Sequence, residues 1–259
     1  VFFLSPDTIL SPALAFIRVG AVLFALPIFG DSPTPVRVRV LLALAITAVI
    51  QPMLSPAWNI NMNMDVIAYA ALVAREVLVG LVLGFLTRLV FDGLVHAADI
   101  VAYQMGFGTA SMFIPGADTP MDPFTAFHRG LIMLIFLGLN LHHMAIRGIA
   151  ESFQVIGPGM ASPQTGLGPL FVEASSSLFA AAVQIAAPVV VALLFTTAAL
   201  GLMARTVPQL NVFTMSFPAN FFAGLLIYMA TLPFFPGWIE SHFGQGKEWM
   251  SAAMRVMVH

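Results

Sequence analysis

Residues 177–203, SLFAAAVQIAAPVVVALLFTTAALGLM, contain no charged side chain, and the chain carries several comparable runs. In a bilayer every backbone N–H and C=O must be satisfied within the protein, so only helices or a closed barrel can cross. Unbroken apolar runs, rather than alternating ten-residue segments, select helices. Composition points the same way. Only 8% of the 259 residues are charged and 59% are hydrophobic, with a mean hydropathy of +0.95. A soluble domain carries about 25% charged residues, so this chain could not cover a surface in water. The expected fold class is an all-α integral membrane protein.

Six long apolar segments stand out, at residues 9–29, 36–54, 66–91, 126–146, 177–203 and 211–234. Each approaches or exceeds the roughly 20 residues needed to cross the hydrocarbon. Pro33 and Pro35 punctuate the first connection, and Pro52, Pro56 and Asn59–Asn63 the second. Residues 94–125 are apolar but hold His96, Asp99, Gln104, Gly106, Gly108, Pro115, Gly116, Asp118, Pro120 and Pro123, which predicts a broken or re-entrant segment. Residues 157–169, rich in Gly and Pro, read as a loop. The expected architecture is thus about six long apolar helices plus that broken segment, built as helical hairpins. With the N-terminus outside and 94–113 counted as a crossing, Arg37, Arg39, Arg88, Arg147, Lys247 and Arg255 fall at or near the inner side. Arg129 and Arg205 then lie at the outer side, and the positive-inside rule still gives a cytoplasmic C-terminus. Ala13-Leu14-Ala15 follows a segment with no positive residue and a break at Pro6, so a cleaved signal peptide is not expected.

A net charge of −2 offers no basic field for nucleic acid. Cysteine is absent, which removes disulfides, iron–sulfur clusters and a cysteine nucleophile. The costly groups are Arg18, in the first apolar segment, and Arg75-Glu76, in the third. An acidic or basic residue costs roughly 2.5–3.5 kcal/mol at mid-helix, while Leu or Val returns roughly 0.3–0.6. Over residues 69–89 the two charges cost about 6 kcal/mol and the apolar residues return about 5, so this helix needs neighbours. Glu76, Gly80 and Gly84 share a face, and Gly80-Leu-Val-Leu-Gly84 is a small-xxx-small packing pattern. A tight helix interface with satisfied polar groups outweighs a proton path through Glu76. Arg75 and Glu76 point to different sides, and no second carboxylate shares the spacing. Whether Glu76 or Asp99 takes part in proton coupling stays open at this point. His142 and His143 are neighbours about 100° apart on a helix, unlike the i, i+4 pair of a zinc helix. Ser175-Ser176-Ser177 lacks a paired base and reads as a helix start. No catalytic constellation, cofactor site or metal site emerges, and the halves share no internal repeat of the kind a secondary transporter carries.

In ARTVPQLNVFTMSFP, residues 204–218, the polar residues Arg205, Gln209 and Asn211 gather around Pro208 between two apolar runs. Pro208 disfavours continued helix, which predicts a hairpin turn. Gln209 and Asn211 carry donors and acceptors for the freed backbone or for a neighbouring subunit. Arg205 reaches toward headgroups or an acidic partner, and Phe213 re-enters apolar surroundings.

Four stretches together carry a family resemblance: Arg18 with LPIFG (26–30), Pro35 and Arg37; REVLVGLVLGF (75–85); AADIVAYQMGFGTA (97–110); and APVVVALLFTTAALGLMARTVPQLNVFTMSFP (187–218). In this order and spacing the chain resembles the FliR family of flagellar export-gate proteins and their type III secretion injectisome counterparts. The last stretch is more similar to the flagellar branch than to the injectisome alternative. The resemblance implies a non-enzymatic inner-membrane subunit, one copy per complex, assembled with FliP and FliQ and sitting partly out of the bilayer plane. FlhB and FlhA would be neighbours, and unfolded flagellar subunits the cargo. Residues 1–175 would be the FliP-like part, and 176–259 the FliQ-like hairpin and cytoplasmic tail. The resemblance also implies a channel plug in Gly106–Pro123, entered through Gln104, Met105, Gly106 and Phe107, with Met112, Phe113 and Ile114 at its apolar tip. Asp122-Pro123 would be its acidic-proline element. Arg18, Glu76, Gly80, Gly84, Arg205, Pro208, Gln209, Asn211 and Phe213 are the expected packing and assembly residues.

Overall fold

The computed structural model describes residues 6–27, 34–53, 65–107, 122–162, 166–207 and 211–258. Within them every regular element is helical: α1 (Pro6–Ala25), α2 (Val36–Ile50), α3 (Val66–Met105), α4 (Pro123–Gly138), α5 (Leu141–Val155), α6 (Leu167–Thr206), α7 (Val212–Thr231) and α8 (Phe235–Val258). One-turn 3₁₀ segments follow α2 (Gln51–Met53) and join α7 to α8 (Leu232–Phe234).

The expectation of six long apolar helices is met only in part. Among the described residues three helical stretches are long and apolar enough to cross a membrane: Val66–Met105, Leu167–Thr206 and Thr214–Val258. The pair α4–α5, bent by 65°, adds a fourth if it forms one broken span. The bend falls at Asn140, whose φ of 56° lies in the left-handed region and ends the straight run expected over 126–146. The first two expected segments give shorter helices, with α1 ending at Ala25 and α2 having 15 residues.

The largest departure lies in 94–125. Residues 94–105 are the continuous end of α3, which is 40 residues long. At about 1.5 Å per residue α3 extends roughly 60 Å, about twice the hydrocarbon thickness. His96 and Asp99 are polar, but polarity does not break a helical backbone. The helix stops only at Gly106, whose φ of 99° suits glycine alone. Local caps then restart the chain. Asp122 accepts from Thr125 N at 2.9 Å and from Thr125 Oγ1 at 2.8 Å, with Pro123 pre-set for the first turn of α4. Asn211 Oδ1 likewise accepts from Thr214 N at 3.3 Å at the start of α7.

The chain divides into two compact units, Val1–Phe91 with Asn140–Ser175 and Phe243–His259, and Asp92–Leu139 with Ser176–His242. The first buries Leu14, Val19 and Leu23 of α1, Val79, Leu83 and Leu86 of α3, and Ile149 of α5. The end of α8 belongs to this core. Met250 and Met257 are buried, Thr87 Oγ1 donates to Met250 Sδ at 3.4 Å, and Ser162 N donates to Met257 O at 3.0 Å. The second unit buries Ala98, Val101 and Met105 of α3, Ile132 and Phe136 of α4, Ala186 and Leu193 of α6, and Tyr228 and Phe235.

Candidate functional site

Arg18 and Glu76, 58 positions apart, form an ion pair in the first unit, Nε to Oε2 at 2.7 Å, with both side chains fully buried. A buried pair is tolerated only when the remaining donors and lone pairs are also met. Here they are met by the end of α5 and the turn after it. Arg18 Nη1 donates to Ser152 O at 2.9 Å and to Ile156 O at 3.1 Å, and Nη2 donates to Ile156 O at 3.2 Å. The carbonyls in the last turn of a helix have no partners within it and carry partial negative charge, so a guanidinium placed there both caps α5 and opposes its dipole. The guanidinium carbon also lies 4.5 Å from the centroid of the Phe153 ring. Glu76 Oε1 accepts from Gly159 N at 2.8 Å. Its neighbour Arg75, on the exposed side, donates from Nη1 to Gly159 O at 2.7 Å. Adjacent residues of α3 thus hold both peptide groups of one glycine, whose φ of 67° makes the tight turn.

Close approach of α1 and α3 brings the pair together. A Cβ at Gly80 would lie 2.6 Å from Arg18 O and 2.6 Å from Ala21 Cβ. One at Gly84 would lie 2.5 Å from Ala25 Cβ and 2.9 Å from Val22 O. Glycine at both positions lets the backbones touch, the geometry that small-xxx-small patterns permit.

The second unit holds its polar groups differently. His128 of α4 is buried, its Nε2 3.0 Å from Leu94 O and its Nδ1 2.7 Å from the Tyr228 hydroxyl. A carbonyl only accepts, so Nε2 carries the proton and Nδ1 accepts from Tyr228. Aromatic rings surround this bond: Phe124 lies 4.9 Å and Phe235 5.6 Å from the Tyr228 ring, centroid to centroid. The cluster continues to Phe107, stacked on Phe124 at 6.4 Å and edge-on to Phe217 and Phe221 at 6.0 Å.

Of the residues expected to enter the plug, Gln104 is half-buried, Met105 is buried in the second unit, Gly106 N donates to Tyr103 O at 3.1 Å, and Phe107 sits in the aromatic cluster. Met112, Phe113 and Ile114 lie outside the described residues, as do Pro208 and Gln209. Arg205 is exposed in the last turn of α6. Asn211 is exposed and caps α7, and Phe213 contributes backbone to the first turn of that helix. His142 and His143 are neighbours with ring centroids 4.3 Å apart, and no group of three or more His, Asp or Glu able to hold a metal occurs among the described residues. Sequence reasoning missed Ser152, Ile156, Gly159, His128 and Tyr228. The first three act largely through backbone groups, which leave no mark in residue identity. The last two are 100 positions apart.

Comparison with known proteins places these features in context. The chain matches the bacterial export proteins, family 1, over residues 9–246. It is similar to the flagellar biosynthetic protein FliR of Aquifex aeolicus, 30% identical over 240 residues that cover 92% of each chain. It is also similar to that of Bacillus subtilis, 31% identical over 227 residues covering 85% of this chain and 86% of the other. The FliR of Escherichia coli is 29% identical over 231 residues, 88% and 87% of the two chains.

Proposed function

The chain belongs to the bacterial export proteins of family 1, as a multi-pass inner-membrane FliR component of the flagellar export apparatus; from that premise we propose that it is one wall of the export channel. It transports and performs no chemistry. The observation that carries this reading is the extent of the match, which spans residues 9–246 and so takes in nearly every helix. In the proposed assembly it joins FliP-type and FliQ-type subunits as a single copy, beside FlhB and FlhA, and unfolded flagellar subunits pass through. Residues 1–175 form the FliP-like part and 176–259 the FliQ-like hairpin. The segment after Gly106 closes the channel, and Arg205, Pro208, Gln209 and Asn211 set the turn at which neighbours dock.

The experiment is co-purification. Tagged chain expressed with its FliP-type and FliQ-type partners should leave detergent extraction as one hetero-oligomer. Replacing Gln209 and Asn211 together with leucine should retain membrane insertion but lose the partners and motility. A stable monomer or dimer from the unaltered chain would sink the proposal. Orientation is checked with single cysteines, since the chain has none of its own. Glu248 in α8 is exposed, and Glu248→Cys should react from the cytoplasmic side.

A further inference from the structure

Phe107 sits one residue beyond the glycine that ends α3, and three rings receive it. It stacks on Phe124 of α4 and meets Phe217 and Phe221 of α7 edge-on, those two being stacked on each other at 6.2 Å. The chain leaves this cluster at Phe107 and comes back to it at Asp122 and Phe124, so one ring stack ties together both ends of the segment between. The same stretch of α7 carries a group that the fold leaves unserved. Asn220, 8% exposed, lies between Phe217 and Phe221, and its Oδ1 is enclosed without a hydrogen-bond partner among the described residues. Gly224, one turn further along the same face, is where Met105 packs: a Cβ there would lie 2.5 Å from Met105 Cε. Asn220 is therefore turned toward the end of α3. The other buried polar side chains described in this unit, Thr125, His128 and Thr231, all have partners.

An acceptor enclosed without a donor weighs against the packed state by roughly five- to a hundredfold in its equilibrium constant, and contact with water removes that penalty. The ring contacts of Phe107 weigh the other way. Gly106, with its φ of 99°, takes either sign of φ at little cost, so Phe107 can swing without unwinding α3. We propose that Phe107 is a releasable latch: seated among Phe124, Phe217 and Phe221 it ties down the root of the closing segment, and its release uncovers Asn220. The unmet oxygen keeps the seat marginal, so a small difference in interaction on arrival of a polypeptide shifts the balance toward release. The inference rests on the reading that residues after Gly106 close the channel, and adds what holds and releases them.

The test uses the assembled, membrane-embedded complex. Asn220→Leu keeps the size of the side chain and removes the unmet oxygen. It should raise the melting temperature, retain the partners on purification and lower flagellar subunit export at least fivefold. Phe107→Ala should assemble yet leak small ions at rest. Adding it to Asn220→Leu should bring export back, because no ring remains to be held. A lower melting temperature for Asn220→Leu overturns the proposal, since the oxygen would then have a partner in the native complex. So does a higher melting temperature with export unchanged, which would leave the penalty unconnected with opening. A Phe107→Ala complex that assembles and stays as tight as the native one also overturns it. Should Phe107→Ala fail to assemble, Phe107→Leu, which keeps the bulk but loses the ring stack, takes its place with the same leak expected. Failure of the export reading has a separate signature: cells lacking this chain would still export flagellar subunits.

Discussion

In one unit a buried hydrogen-bonded hub is a full ion pair, Arg18 and Glu76; in the other it is a neutral pair, His128 and Tyr228. The ion pair draws on α1, α3, the end of α5 and the Gly159 turn, so each nitrogen of one buried guanidinium has an acceptor. The neutral pair needs only one hydroxyl and one spare carbonyl lone pair, inside a shell of aromatic rings. Neutral groups cost far less to desolvate than ions. The charged hub therefore depends on all its parts at once, whereas the aromatic unit loses stability in small steps.

The sharpest way to break this contrast is Glu76→Leu. It leaves Arg18 buried and uncompensated and Gly159 N without its acceptor, a loss of about 3–5 kcal/mol. Thermal unfolding in detergent, or the steady-state amount in the membrane, should show a collapse. Adding Arg18→Met should recover most of it, because removing both charges also removes the desolvation cost. If the double variant is no better than the single one, capping of α5 by Arg18 outweighs the ion pair.

Next in size is Gly80→Ala, which drives a methyl against Arg18 O and Ala21 Cβ and should cost about 2 kcal/mol through overpacking. Gly130→Ala in α4, where nothing lies within 4 Å of the added carbon, is the matching control in the other unit and should not destabilise. Equal melting temperatures for the two variants would show that α1 and α3 are not held in contact.

Tyr228→Phe should be milder. It removes the proton that Nδ1 of His128 accepts while keeping the ring and its packing, a loss of about 1.5 kcal/mol. Were it to match Glu76→Leu, the distinction between charged and neutral units would fail.

Part of this picture was legible in the sequence. Arg18, Glu76 and the Gly80–Gly84 spacing could be singled out because charge inside an apolar run, and glycine at i, i+4, are visible in one dimension. Their partners were not, since Ser152, Ile156 and Gly159 meet them through backbone groups. All-helical membrane character followed from hydropathy, but the number of long helices did not. His96 and Asp99 suggested a break where the backbone runs on, and the sharp turn at Asn140 left no comparable sign. Hydropathy reports the solvent a segment prefers, whereas breaks depend on φ at single residues.

The smallest expected effect separates a local role from an intersubunit one at Asn211. The sequence offers this amide as glue between helices or subunits, while the geometry has its Oδ1 accepting from Thr214 N and its backbone O accepting from Thr214 Oγ1 at 2.9 Å. Asn211→Ala should cost about 1 kcal/mol, the usual loss of a helix N-cap. Asn211→Ser and Asn211→Asp supply another capping oxygen and should restore that stability. If capping is the whole role, all three single variants keep their partners on purification, and Gln209 carries the loss expected of the double leucine variant. If Asn211→Ser instead keeps its melting temperature but comes away alone, the amide NH₂ is what a neighbour reads. The cap would then be incidental to assembly.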